Sequence, residues 1–296
     1  MERKINKKLL GYIFILVGIL LPLIPVTKIA YNQWNKENRY AAFEEKVEIN
    51  HVVVNTEEVE AYNNTTKPSV ERRPVDPFFN ERYETEYDID VEITDDVFSY
   101  ISLPSIDLML PVYLGATDYH LTQGAAHVDG TALPVGGVDN RSVIAAHFGW
   151  AGDVMFFNLG EMKVGDPVLL KNADETLLYR VRDVEVIGAE DFEKLQPVEG
   201  KDMVTLLTCW PGPPFPDRLL INCERVHEND KIVGSFDNPA SLKVEGSEEP
   251  VIPEAEEIVV PQRVRTVQWG AYALTAIGWL YFGYTAVKFV RFLAAK

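Results

Sequence analysis

The amino-acid sequence predicts a mainly β domain, closed or nearly closed into a barrel, that lies between two membrane-spanning helices. Short β-like runs separated by Gly, Pro, Asn and Asp begin near Tyr100 and continue to residue 228, as in an all-β domain. Two uncharged apolar segments, Leu9–Val26 and Val267–Val287, stand near the two ends of the chain. In addition, the alternating pattern slips inside one run, which indicates a β-bulge of the kind that barrels commonly use.

Each apolar segment is long enough to cross a bilayer as a helix. Basic residues precede the first span and follow the second. The positive-inside rule therefore places both chain termini in the cytoplasm and the β domain outside the cell. The first segment could instead be a cleavable signal peptide, although no clear small-x-small cleavage site follows it. The flanking residues are Arg3, Lys4, Lys7 and Lys8 before the first span, and Lys288, Arg291 and Lys296 after the second.

The composition divides the chain into parts with different textures. Aromatic residues at loose helical spacing predict one or two helices after the first span, and prolines then predict an extended segment. Beyond the β domain, scattered prolines and glutamates predict a solvated linker. In order, the parts are a basic tip with the first span (1–27), a helical segment (28–70), an extended segment (71–99), the β domain (100–228), an acidic linker (229–265), the second span (266–288) and a basic tail (289–296).

The β-like runs can be read individually. In ETLLYRVRDVEVIG, the alternation carried by Leu177 and Val181 passes to Val184 after a slip near Asp183. FFNLGEMKVGD predicts a short helix that ends near Gly165. The other predicted strands lie in ISLPSIDLMLPVY, RSVIAAH, DPVLLKN, MVTLLTC and DRLLINCERV.

Charge and motif content exclude several function classes. The net charge of −17 argues against a nucleic-acid partner, which requires a basic face. The sequence has no metal-ligand spacing, no dinucleotide fingerprint and no phosphate-binding glycine loop, so we expect neither a metal nor a cofactor.

Cys209 and Arg218 are the first candidates for a catalytic site. Cys209 ends one β-like run and Arg218 begins the next, so the loop 210–217 would place both at the same end of neighbouring strands. Arginine beside a cysteine favours the thiolate and can donate hydrogen bonds to an oxyanion. The alternatives are a buried, inert cysteine and an arginine that pairs with a carboxylate at the surface.

Two histidines are candidates for the base that such a cysteine would need. His147 follows the apolar run SVIAA and is predicted at a strand end that faces a cleft. His127, in GAAHVDGTALPVGG, is predicted to lie in a loop. Taken alone, a histidine in either place is more often a structural or surface residue than a catalytic one.

These residues resemble a known family. TLLTC, followed nine residues after its cysteine by Arg218 in DRLLINCER, resembles the TLxTC…R signature of sortases. The segment GAAHVDGTALPVGGVDNRSVIAAHFGW is similar to the one that carries the sortase catalytic histidine. The resemblance implies an eight-stranded β-barrel with short helices, in which Cys209 is the nucleophile, His147 the acid/base and Arg218 the oxyanion-binding or substrate-positioning residue.

The extended segment adds a resemblance to one subgroup. VDPFF is similar to the Asp-Pro-aromatic lid of the pilin-polymerising, class C sortases, which also tend to carry a second membrane span. The resemblance implies that Asp76, Pro77 and Phe78 form a lid in which Asp76 pairs with Arg218 and Phe78 shields Cys209. An ordinary turn with an exposed phenylalanine is the alternative.

The sequence also departs from the family pattern. Phe148-Gly149 stands where Arg-Gly is frequent, Trp210-Pro211 replaces Thr-Pro, and Cys223 replaces a glycine. We therefore expect Phe148 and Trp210, with Thr208, to shape substrate binding. Cys223 is expected to be a packed strand residue, and not the disulfide partner of Cys209.

The resemblance implies a membrane-anchored cysteine transpeptidase of a Gram-positive bacterium. Such an enzyme cleaves an LPXTG-like sorting signal between Thr and Gly through a thioester, then transfers the acyl group to an amine, here a pilin lysine. The alternatives are anchoring of surface proteins to a peptidoglycan precursor, simple hydrolysis as in a cysteine protease, and an inactive binding domain. The expected partners are LPXTG-bearing pilin or surface proteins, the amine acceptor and the membrane.

Overall fold

The computed structural model describes residues 7–50, 56–66, 74, 76–78, 97–149, 152–173, 175–212, 214–226, 231–247, 249–252 and 260–295. The chain forms two compact units. The first consists of Met1–Asn35, Ala151–Asp153 and Gln262–Lys296, and the second consists of Lys36–Trp150 and Val154–Pro261.

The first unit is built on two long apolar helices, α1 (Lys7–Trp34) and α5 (Gln262–Ala294). Their mean hydropathy over an 18-residue window is 2.6 and 1.2, so by length and composition both are candidate membrane spans. The helices pack together through aromatic and polar contacts. The ring of Tyr12 lies 5.6 Å from those of Phe289 and Phe292, and Trp279 Nε1 donates a hydrogen bond to Thr27 Oγ1 at 3.0 Å.

The second unit contains a closed eight-stranded β-barrel, which confirms the predicted fold class. Following hydrogen bonds around it, the strand order is β6-β5-β1-β2-β3-β4-β7-β8, and β8 pairs with β6 to close the ring. The pairs β2–β3 and β4–β7 are parallel, and the other pairs around the ring are antiparallel. The strands are β1 (Val97–Leu103), β2 (Leu108–Leu114), β3 (Ala125–His127), β4 (Asn140–Ala145), β5 (Pro167–Lys171), β6 (Thr176–Gly188), β7 (Asp202–Trp210) and β8 (Asp217–Val226).

The bulge predicted in the long run is present in β6. Its register with β8 shifts between Val181 and Asp183, so the strand bends there. β6 pairs with β8 on both sides of the bulge. The expected side-chain pattern beyond the bulge was wrong. Val184 and Val186 are 45% and 48% exposed. Ile187 is on the opposite face of the strand, and its side chain is the buried apolar one in this half.

Several elements were not predicted correctly. The three-residue strand β3 and the short helix α4 (Asp118–Gln123) were missed, because neither is long enough to show a periodic pattern. His127 was placed in a loop, but it ends β3, is fully buried, and its Nε2 lies 2.9 Å from the carbonyl oxygen of Ala132. The predicted helix before Gly165 is only a 3₁₀ turn, Leu159–Glu161.

Additional elements pack on the barrel. The helices expected after the first span are α2 (Lys36–Asn50) and α3 (Thr56–Thr65). In the described part of residues 229–265, β9 (Ile232–Val233) pairs with β6, and β10 (Lys243–Val244) pairs with β9. Phe236 and Leu242 from this stretch are buried in one cluster with Tyr40, Phe43 and Tyr100. The stretch predicted as a solvated linker therefore contributes to the fold, because it buries apolar side chains.

Candidate active site

Three neighbouring strand ends bring Cys209, His147 and Arg218 into one row across the barrel wall. Cys209 on β7 lies directly opposite Arg218 on the antiparallel strand β8. On the other side of β7, the parallel pairing with β4 reaches Ala145 opposite Leu207. The ladder continues one step further, where the Ala146 amide donates to the Leu207 carbonyl at 3.1 Å. His147 therefore follows at the level of Cys209, and we call these three residues the row.

Thr208 joins β7 to the end of β4 by a side-chain hydrogen bond next to the row. Its side chain is fully buried, and Oγ1 donates a hydrogen bond of 2.8 Å to the carbonyl oxygen of Ala146. Thr208 thereby fixes the relative height of His147 and Cys209. Thr208 was expected to help shape substrate binding, but its side chain lies in the barrel wall.

The guanidinium of Arg218 is fully buried, and each of its three nitrogens donates a hydrogen bond. Its Nη2 donates to Asp76 Oδ2 at 2.6 Å, and its Nε donates to the same oxygen at 3.1 Å, which makes a strong charge-assisted contact. The Nη1 group donates to two backbone carbonyls, those of Phe215 at 3.1 Å and Asp217 at 2.8 Å. In this state Asp76 occupies the edge of the guanidinium formed by Nε and Nη2.

The Asp-Pro-Phe segment lies over the row. Asp76 Oδ1 accepts a 3.0 Å hydrogen bond from the backbone amide of Phe78, which forms a tight turn around the buried Pro77. The ring of Phe78 lies 5.7 Å from the ring of His147 and 5.4 Å from Cζ of Arg218. Asp76 and Phe78 thus contact the two residues that stand on either side of Cys209.

Burial decides the charge state of the row. It raises the pKa of the Cys209 thiol to about 11; the positive charge of Arg218 opposes this rise, and the negative charge of Asp76 adds to it. Burial also lowers the pKa of His147, against the opposing effect of Asp118. Cys209 and His147 are therefore both neutral at pH 7 in this state. Arg218 was expected to favour the thiolate, but the effect of burial on the thiol pKa is larger in this state.

Aromatic side chains flank the row where the strands run into their loops. Phe148 follows His147, Trp210 follows Cys209, and their rings meet edge to face at 5.9 Å. The structure adds two further rings, Phe157 and Phe215, at 5.1 and 5.7 Å from Phe148. Phe215 lies inside the loop 210–217, but nothing in the local sequence indicates that its ring and that of Phe157 meet Phe148.

Cys223 has the packed position that was expected. It is fully buried on β8, burial raises the pKa of its thiol strongly, and its Sγ lies 3.6 Å from the carbonyl oxygen of Ile221. Both cysteines are free thiols, so Cys209 is not held in a disulfide.

Comparison with known proteins gives consistent matches. The sortase domain family matches residues 101–226. Sortase A of Streptococcus agalactiae serotype III (strain NEM316) is 26% identical over 131 residues, 43% of this chain, and the chain spans about half, 52%, of that curated relative. The solved structure of sortase C-3 from Streptococcus pneumoniae is 38% identical with a TM-score of 0.52, covering 68% of this chain and 90% of that one. The pilus-related sortase C of Group B Streptococcus is 32% identical with a TM-score of 0.55, covering 63% and 95%.

Proposed function

Because this chain belongs to the sortase family of cysteine transpeptidases, we propose that it is a membrane-anchored sortase that joins pilin subunits. In this proposal it cleaves an LPXTG-like sorting signal between Thr and Gly and transfers the acyl group to a pilin lysine. The observation that carries the proposal is the row of His147, Cys209 and Arg218, with the Asp76–Phe78 turn bound over it.

Each member of the row has one part in the acylation step. The thiolate of Cys209 attacks the Thr carbonyl carbon, and the carbonyl oxygen gains negative charge on the side of Arg218. His147, as imidazolium, gives its proton to the nitrogen of the departing glycine. The C–N bond breaks, and a thioester remains on Cys209.

The second step uses the same groups in the reverse direction. A lysine amine attacks the thioester carbon while neutral His147 takes one of its protons. The C–S bond breaks, the amide bond forms, and the Cys209 sulfur leaves as the thiolate. Because the leaving and attacking amines both exchange a proton with His147, both occupy the same place beside it.

The Asp76–Phe78 turn acts as a lid in this proposal. With Asp76 bound, the Nε and Nη2 edge of Arg218 is occupied by a carboxylate, and the raised pKa of Cys209 keeps the nucleophile protonated. Movement of the turn would free the guanidinium, admit water and substrate, and lower the thiol pKa. The closed arrangement is therefore a resting state that substrate or a partner has to open.

The membrane anchor and the pilin substrate belong to the proposal as well. We infer that α1 and α5 cross the membrane with both termini in the cytoplasm, because basic residues lie on those flanks. The pilus-related relative and the lid turn favour a pilin acceptor. The similarity to a sortase A favours the second candidate, transfer to a peptidoglycan amine.

One experiment tests the reaction and separates these acceptors. Full-length protein in detergent micelles is incubated with an LPXTG peptide and either a lysine-bearing pilin peptide or a peptidoglycan-stem amine, and the products are measured by mass spectrometry. We expect a thioester adduct on Cys209 and an amide to the lysine, and neither product with Cys209→Ala. An adduct that reacts only with the stem amine would favour the second candidate. Thioester formation that survives in Cys209→Ala would refute the site.

A further inference from the structure

Four aromatic rings form a partly exposed cluster beside the row, and we call it the aromatic cluster. Phe148 is its centre, with Phe157 at 5.1 Å, Phe215 at 5.7 Å and Trp210 at 5.9 Å between ring centroids. All four side chains keep part of their surface open to solvent. Partly exposed aromatic rings next to a reactive centre are typical of ligand-binding surfaces.

The cluster is tied to the strands and loops that carry the row. Phe148 directly follows His147, Trp210 directly follows Cys209, and the Phe215 carbonyl accepts a hydrogen bond from Arg218 at 3.1 Å. The lid ring, Phe78, lies instead against His147 and Arg218. The four rings are therefore held by contacts with one another and by the strands and loops that carry the row.

The indole of Trp210 is held in place by a close backbone contact. A Cβ atom added at Gly160 would lie 2.7 Å from Cη2 of Trp210 and 3.0 Å from Cζ3, so the ring rests directly on the glycine. Only a residue without a side chain leaves this space. This contact limits the movement of the Trp210 indole, which reduces the entropy lost when a ligand binds against that ring.

The order of the row determines what comes to the cluster. The oxyanion forms toward the cation of Arg218, so the leaving and attacking amines lie toward His147, at the other end of the row. Phe148 is joined to that end, and Trp210 to the central Cys209. The aromatic cluster therefore flanks the path of the amine.

We propose that the aromatic cluster, and Trp210 and Phe148 in particular, binds the side chain of the acceptor lysine. The inference rests on the proposed function and names the group that its acceptor site recognises. A lysine offers a four-carbon apolar stem that can lie along the rings and an ammonium that aromatic faces attract. The chain's net charge of −17 also favours the approach of a cationic acceptor over a neutral one.

The reaction balances in ordinary acyl-transfer terms. The ammonium loses one proton to solvent and becomes the attacking amine, and its nitrogen forms the bond to the thioester carbon. A second proton passes from that nitrogen to His147 as the carbon–sulfur bond breaks. The products are an amide, the Cys209 thiolate and the imidazolium of His147, and no oxidant or further reactant is needed.

The test measures how the thioester divides between lysine and water. Full-length protein carrying Asp76→Ala, so that lid opening does not limit the reaction, receives an LPXTG peptide with Nα-acetyl-lysine amide or with glycinamide as acceptor. The ratio of amide to hydrolysis product is independent of the acylation rate, so it reports only the acceptor step. Variants Trp210→Leu, Trp210→Phe and Phe148→Leu are compared with Val164→Ala, whose side chain is 68% exposed in the β4–β5 connection.

The expected results distinguish recognition of lysine by an aromatic ring from recognition by any apolar side chain. Trp210→Leu and Phe148→Leu should lower the lysine ratio about tenfold, Trp210→Phe should lower it by no more than about twofold, and glycinamide ratios should stay the same. Val164→Ala should behave as the parent. Thermal unfolding curves confirm that each variant is folded.

Other outcomes overturn the inference in distinguishable ways. An unchanged lysine ratio in both leucine variants, or an equal fall with glycinamide, would show that the cluster does not recognise the lysine side chain. Loss of all thioester in the parent would instead overturn the proposed function, and this inference with it.

Discussion

The lid proposal makes a quantitative prediction for Asp76→Asn. Asparagine keeps an Oδ1 acceptor for the Phe78 amide, so the turn itself can persist. It removes the negative charge that accepts two short hydrogen bonds from Arg218, at 2.6 and 3.1 Å. The substitution therefore weakens the closed state while leaving the local backbone geometry intact.

The size of the effect follows from the burial of the pair. The side chains of Arg218 and Asp76 are only 1% and 9% exposed, so water screens their attraction little. Hydrogen bonds to charged groups contribute about 1.5–3 kcal/mol each. Because the retained Oδ1 lies 3.3 Å from Arg218 Nε and can still accept from it, the substitution should weaken closure by about one such bond. If Cys209 reacts only when the lid is open, its reaction rate should rise about 10- to 100-fold, since about 1.4 kcal/mol corresponds to a factor of ten.

The pH dependence should change in the same direction. The charge of Asp76 contributes to raising the pKa of Cys209 to about 11, and Arg218 opposes it. Without Asp76 the opposing effect of the arginine remains, so the thiol pKa falls. Below that pKa, each unit of decrease raises the thiolate fraction tenfold at a given pH. The midpoint of the rate–pH curve should therefore move below that of the wild type.

The assay is alkylation of full-length protein by iodoacetamide between about pH 7 and 12, a range that includes the raised pKa of Cys209, followed by intact-mass measurement and peptide mapping. Peptide mapping separates Cys209 from the fully buried Cys223. Asp191→Asn is the matched control, because Asp191 lines the same 540 Å³ cavity as Asp76 but its carboxylate accepts from the Gly188 amide. The lid argument would be refuted if the alkylation rate of Asp76→Asn lay within about twofold of that of the control and its midpoint within about 0.3 pH unit.

Three further predictions test other contacts. Phe78→Ala should raise the Cys209 alkylation rate about fivefold by uncovering the row, and an unchanged rate would return the segment to an ordinary turn. Arg218→Lys should lower kcat/KM with an LPXTG peptide about 100-fold, because an ammonium lacks the planar fork; activity near that of the wild type would exclude an oxyanion role. Arg141→Leu should lower the free energy of unfolding in urea by about 3 kcal/mol, because it removes the hydrogen bonds from the buried guanidinium to Asn222 Oδ1, Thr205 Oγ1 and two backbone carbonyls; a loss below about 1 kcal/mol would contradict this.

The strands could be predicted from the sequence because their pattern of apolar and turn residues lies within short segments of the chain. Runs such as DRLLINCERV and MVTLLTC place apolar residues on strands that are buried almost throughout, and turn residues separate them. The slip near Asp183 predicted a real register shift for the same reason. Elements without a repeating pattern, β3 and α4, were missed because three to six residues are too few to show periodicity.

The burial of particular side chains was not readable. His127 stands among small residues and glycines that also suit a loop, and only its pairing beside β4 shows that it is a core residue. Phe236 and Leu242 lie in a sequence rich in acidic residues, and their docking against Tyr40 depends on partners nearly two hundred residues away in the chain. Long-range packing of this kind overrides local composition.

The sequence by itself determined the barrel, the two apolar helices and the identity of the residues that meet at its wall. Cys209 and Arg218 could be placed together because one short loop joins their strands, and the family signature added His147. Only the tertiary structure decided the state of those residues. Burial and the contact of Asp76 with Arg218 hold the thiol neutral, because desolvation depends on every group packed around Cys209 and not on its neighbours in the chain.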